Sequence, residues 1–124
     1  MFNYTVTIAV DPPGIFPPNQ EATPSNGNFV YTPSLVRVSS GDTITWFCVN
    51  PFSLVFKEGT PVNEMEVFGR PGTLIPPGAP AGVSYYSAGP YNVCNVKGHF
   101  HYTVAVSLGA QVFLDSGCPD VSVN

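Results

Sequence analysis

Short blocks in which apolar and polar residues alternate run along most of this chain. Residues 4–10 alternate in this way and are rich in β-branched side chains, so they predict a first strand. The same signal recurs in later segments, at 29–38, 43–49, 54–56, 83–86, 91–96, 99–108 and 111–114. No convincing helical pattern and no internal repeat accompany them. Seven to nine short strands are typical of an all-β, antiparallel Greek-key β-sandwich.

The strand at 43–49 is expected to lie at the centre of the core. Alternation places Ile44, Trp46 and Cys48 on one face of this strand. We expect the indole of Trp46 to be the middle of the packing.

The segments 91–96 and 99–108 flank Lys97-Gly98, a dipeptide suited to a tight turn. They therefore predict a β-hairpin. The tail, residues 115–124, is expected to be frayed except where Cys118 ties it down. Residues 63–68 are compatible with either a strand or a helical turn.

Two segments rich in proline and glycine interrupt the strands, at 11–28 and at 60–82. Proline is excluded from helix interiors and from central strands, so both segments are predicted to be long loops. Loops of this length in a compact domain are usually either functional or mobile. We interpret residues 1–124 as a single domain that carries both loops.

Composition narrows the possible partners. The chain has 124 residues, of which 44% are hydrophobic and 10% are charged, and its formal net charge is −4. Four basic residues give no patch that could neutralise nucleic-acid phosphates or an anionic membrane surface. No apolar run approaches the length of a membrane span, and the first residues do not have the pattern of a signal peptide. These features do not indicate the cellular compartment.

The stretch from Phe29 to Phe56 resembles the cupredoxins, the small blue-copper proteins. It has an aromatic residue and a proline, alternating valines, a Gly-Asp pair, an aromatic strand, and then the run Pro51-Phe52-Ser53-Leu54-Val55-Phe56. The resemblance implies a cupredoxin-like sandwich and an exported or periplasmic location. It also places Phe52 where the family has its first copper-binding histidine.

A second stretch resembles the other copper motif of the same family. It contains Tyr91-Asn92-Val93-Cys94, then His99, then Val104-Ala105-Val106. Cys94 follows Val93 one residue earlier than in the family, and no methionine follows His99. The resemblance therefore implies a degenerate copper site.

Cys94, His99 and His101 are nevertheless of the right types for copper, since a blue-copper site needs a thiolate and two imidazoles. In the predicted hairpin, Cys94 faces His101, and all three side chains lie on the face directed away from the core. If residues 94–99 instead form a tight ligand loop, a further ligand must come from Cys48, Met65 or water. No cofactor is our first expectation, with copper as the alternative.

Two aromatic residues are candidate partner-binding positions, Phe16 in the first long loop and Phe52. A phenylalanine at position 52 either fills the space that a lost copper ligand leaves or widens an apolar surface for a partner. The three cysteines, Cys48, Cys94 and Cys118, allow at most one internal disulfide, whose pairing the sequence leaves open.

Catalysis has little support, because no carboxylate stands at a motif spacing from the histidines and no G-x-S-x-G motif occurs. The leading hypothesis is a non-catalytic cupredoxin-like domain that has lost its type 1 copper site and acts as a binding or structural module for an unknown protein partner. The alternative is a copper-binding protein for electron transfer or metal handling. A third hypothesis is an immunoglobulin-like adhesion domain.

Overall fold

The structure, a computed structural model, describes residues 2–11, 28–72, 74–108, 111–115 and 119–124. It has no helix in these ranges and therefore none that is long and apolar enough to cross a membrane. The strands are β1 (Asn3–Asp11), β2 (Asn28–Thr32), β3 (Leu35–Val38), β4 (Thr43–Cys48), β5 (Phe52–Phe56), β6 (Glu66–Phe68), β7 (Arg70–Pro71), β8 (Tyr86–Asn92), β9 (Gly98–Leu108), β10 (Gln111–Asp115) and β11 (Asp120–Val123).

These strands form two sheets, which confirms the predicted all-β sandwich. The first sheet has the order β2-β1-β4-β8-β7, and the second has the order β3-β11-β9-β5-β6, with β10 paired to β9. The sheets are mixed and not wholly antiparallel, since β1 runs parallel to β4 and β3 runs parallel to β11. The described residues contain eleven strands, more than the seven to nine predicted.

Strand β4 lies at the centre of the core, as predicted. Ile44, Trp46 and Cys48 have no exposed surface. The Trp46 ring meets those of Phe56 and Tyr102, both from the second sheet, at centroid distances of 6.2 Å and 6.0 Å. Edge-to-face contacts at such distances add to the gain from burying the rings. Trp46 therefore joins the two sheets.

The predicted hairpin between 91–96 and 99–108 is wrong. Tyr91 pairs with Ile44 of β4, so this segment belongs to the first sheet. Beyond β8, Val93 still donates its N–H to the carbonyl oxygen of Asp42 at 2.8 Å. Strand β9 lies in the second sheet, between β5 on one side and β11 and β10 on the other. The Lys97-Gly98 segment connects two sheets and does not close a hairpin.

The expectation of a frayed tail is wrong for residues 120–123. These residues form β11, which pairs with β3 and with β9. Val121 and Val123 point inward and are 0% and 4% exposed. Two buried valines and a backbone that is hydrogen-bonded on both sides hold this segment in the sheet. Cys118 falls outside the described residues.

The structure changes the predicted bounds of one long loop and of one short strand. The 60–82 segment contains β6 and β7, so the ambiguity at 63–68 resolves as a strand over Glu66–Phe68. The strand predicted at 83–86 begins only at Tyr86, where β8 starts. Most of the 11–28 loop, including Phe16, lies outside the described part of the chain.

Candidate functional site

Phe52, a predicted partner-binding residue, begins β5 and is buried, with 5% of its surface exposed. It pairs with Val106 across the sheet, and its carbonyl oxygen accepts a hydrogen bond from the N–H of Gly69 at 2.8 Å. A β-carbon placed on Gly69 would lie 2.3 Å from Cε1 of the Phe52 ring. The ring therefore uses the space that the absent side chain of Gly69 leaves.

The surface beside Phe52 is an uncharged depression of about 350 Å³. Phe68 and Val112 line it and are 54% and 55% exposed, whereas Phe52 contributes little surface. The prediction that Phe52 binds a partner stays a prediction. Phe68 and Val112 are the exposed large apolar side chains of this depression.

His99 and His101 lie two residues apart on β9, and both are exposed. Phe100, between them, is half-buried against the core, and Tyr102 is 1% exposed. The prediction that both histidines point away from the core is therefore confirmed.

Asp120 of β11, and not Cys94, lies opposite His101 across the sheet. The Oδ1 atom of Asp120 is shielded from solvent, and Nδ1 of His101 contacts it. This contact corrects the predicted pairing, because the hairpin that would have brought Cys94 and His101 together does not form.

Cys94 lies in the connection between β8 and β9 and is partly buried. Its N–H donates to the carbonyl oxygen of Pro61 at 2.8 Å, and its own carbonyl oxygen accepts from Val96 at 2.8 Å. Across the described ranges, no three His, Cys, Asp or Glu side chains come together as a group that could hold a metal ion. Cys94, His99 and His101 do not form such a group in this part of the chain.

Cys48 and Met65 were the other sulfur ligands considered. Cys48 is a free thiol on the inward face of β4, and burial raises its pKa. Met65 is 45% exposed in the segment before β6.

A small cavity of about 130 Å³ lies against the two histidines. His99 and His101 form part of its wall, and Lys57 and Glu58, which follow β5, form the rest. Sequence reasoning did not connect Glu58 with the histidines, because they are about forty residues apart in the chain. Only the pairing of β5 with β9 brings them to one place.

Two partly buried polar contacts were also missed from the sequence. The Tyr31 hydroxyl donates to Oδ2 of Asp115 at 2.6 Å, and burial raises the pKa of Tyr31 well above its usual range. Asp42 accepts hydrogen bonds from the backbone N–H of Phe2 at 3.0 Å and of Ser39 at 2.8 Å, and these bonds lower its pKa. The first contact joins β2 to β10, and the second joins the turn before β4 to the residue before β1.

Comparison with known proteins assigns no relationship. No family model matches the chain, and no curated protein matches it.

Proposed function

We propose that this protein is a non-catalytic, cupredoxin-like β-sandwich that lacks a type 1 copper centre and acts as a binding or structural module. The observation that carries the proposal is the packing of Phe52. The residue at the position of the family's first copper histidine is an apolar ring that is buried in the core against Gly69. A buried phenylalanine can neither bind copper nor be displaced without leaving a cavity.

The separation of the remaining ligand types supports the same proposal. A type 1 site needs a thiolate and two imidazoles around one ion. Here the histidines lie on the exposed face of β9, while Cys94 lies in the preceding connection and is partly buried.

The module would contact a protein partner at the end of the sandwich that carries Phe52. Its surface there is formed by uncharged groups, among them Phe68 and Val112, so a partner would present apolar side chains and not a charged patch. Phe16, the other predicted contact residue, remains a candidate from the sequence alone.

A titration of the reduced protein with Cu²⁺, followed by visible absorption, tests the proposal. We expect no intense thiolate-to-copper band at one equivalent. Such a band, present in the parent protein and lost in Cys94→Ser, would overturn the proposal.

The competing function is a copper-binding protein for electron transfer or metal handling that uses Cys94, His99 and His101. The exposed pair of histidines favours it. The same titration separates the two functions, because only the competing one requires the Cys94 thiolate.

A further inference from the structure

We propose that His99 and His101 form a surface site for a divalent transition-metal ion, with Cu²⁺ bound most tightly and with water completing the coordination. This inference goes beyond the proposed function, because the site uses neither the thiol of Cys94 nor the position of Phe52.

The first argument is the spacing of the two imidazoles. Residues two apart on a strand point to the same face, and their α-carbons are separated by about 6.7 Å. Two histidine side chains can close that distance around one ion. Both are exposed, and both border the same cavity of about 130 Å³. An ion entering this cavity would meet both rings.

The second argument is the orientation of His101. Its Nδ1 atom contacts Oδ1 of Asp120. When Nδ1 carries the proton for this contact, Nε2 of the neutral ring carries the lone pair. Histidines that bind metals usually donate their other ring N–H to a carboxylate or a carbonyl oxygen, which fixes the tautomer. Asp120 is thus a positioning residue that leaves Nε2 available for the ion.

The third argument is the charge around the cavity. Glu58 supplies a carboxylate that attracts a cation, and Lys57 supplies a positive charge that opposes one. Since no three candidate ligands come together in the described ranges, the protein ligands are the two imidazoles, and Glu58 acts through its charge. Removing the charge of Glu58 should therefore lower the affinity for the metal ion, and removing the charge of Lys57 should raise it.

The class of metal follows from the ligands. Imidazole suits Cu²⁺, Zn²⁺ and Ni²⁺, whereas Mg²⁺ and Ca²⁺ prefer oxygen ligands. Among the divalent ions of the first transition row, Cu²⁺ generally binds such a site most tightly. Mg²⁺ should not compete for it.

Calorimetric titration of the reduced full chain with Cu²⁺ alone and with Zn²⁺ alone, together with paramagnetic resonance of the copper complex, tests the inference. We expect one ion per chain, nitrogen hyperfine structure, and unchanged binding in Cys94→Ser. His99→Gln and His101→Gln should each weaken binding more than about tenfold, and Asp120→Asn should weaken it about tenfold. Glu58→Gln should weaken binding, and Lys57→Gln should strengthen it.

Ser122→Ala is the matched control, because Ser122 pairs with His99 across the sheet. It should bind as the parent does. Binding that changes less than about twofold in both single-histidine variants would overturn the inference, as would no stoichiometric binding in the parent. If His101→Gln does not fold, His99→Gln decides the question. A thiolate band that is lost in Cys94→Ser would contradict the proposed function, so the two failures are distinguishable.

Discussion

The Phe52 ring lies so close to Gly69 that a β-carbon at position 69 would stand 2.3 Å from Cε1 and 2.5 Å from Cδ1 of that ring. Either the ring or the backbone would have to move to admit a methyl group. Gly69→Ala should therefore destabilise the protein by about 1–3 kcal/mol, as overpacking commonly does. Urea unfolding measures the change.

Gly72→Ala is the matched control, because its β-carbon would meet nothing closer than Oγ of Ser87 at 3.8 Å. Phe52→Leu, with a smaller side chain, should recover part of the loss when combined with Gly69→Ala, and a double-mutant cycle measures this coupling. Equal stability of the two glycine variants would contradict the described packing.

Alanine substitutions of Phe52 and Phe68 should differ in their effect on stability, because Phe52 is a core residue and Phe68 is a surface residue. Phe52 is 5% exposed, whereas Phe68 is 54% exposed. Phe52→Ala should cost about 3–5 kcal/mol of unfolding free energy through the cavity it leaves. Phe68→Ala should change stability by less than about 0.5 kcal/mol, as most surface substitutions do. A small loss in Phe52→Ala would show that Phe52 is not a core residue.

The protein should lose part of its stability at acid pH, because the contribution of Asp42 depends on its ionised carboxylate. Its two backbone hydrogen bonds lower its pKa from the ordinary value of 3.8. A carboxylate whose folded pKa is depressed contributes stability above its unfolded pKa, and that contribution is lost as pH falls through the folded pKa. Asp42→Asn should be less stable than the parent at pH 7, and its further loss on acidification below pH 4 should be smaller.

Thermal unfolding at pH 7 and at pH 3 measures this difference. Glu66→Gln, the same change of charge at an exposed position of β6, is the control. If Asp42→Asn lost as much stability on acidification as the parent, the two hydrogen bonds would not carry the effect.

Cys48 should be far less reactive than Cys94. The Cys48 thiol is buried and its pKa is raised, and both properties reduce the amount of accessible thiolate. Cys94 is only partly buried. In a Cys118→Ser background, an aromatic disulfide reagent at pH 8 should modify one thiol quickly, and Cys94→Ser should abolish that phase. Loss of the fast phase in Cys48→Ser instead would show that Cys48 is the accessible thiol.

For β4 and β9, sequence patterns predicted which side chains would point into or away from the core but not which strands would be paired. Alternation correctly placed Trp46 inward and His101 outward, because side-chain direction follows local period. The turn signal at Lys97-Gly98 suggested a hairpin, although Tyr91 pairs with Ile44 in the other sheet. A turn-forming dipeptide specifies only a local change of direction. Long-range pairing decides which sheet the following strand joins.

Strand pairing over long distances in the chain is also the reason why the C-terminal tail and the histidine site could not be predicted. Val121 and Val123 alternate, but a four-residue strand gives a weak signal, and its parallel partner β3 lies more than eighty residues earlier. The contact of Asp120 with His101 arises from the pairing of β11 with β9. The position of Glu58 beside the histidines arises from the pairing of β5 with β9. No local spacing could have predicted them.

The most direct test of the central claim, that the fold carries no type 1 copper centre, is the X-ray absorption spectrum at the copper edge of the reduced protein with one equivalent of Cu²⁺. The account predicts that the nearest neighbours of the bound copper are nitrogen and oxygen atoms only, and that the spectrum is unchanged in Cys94→Ser. A short copper–sulfur distance that disappears in Cys94→Ser would contradict it.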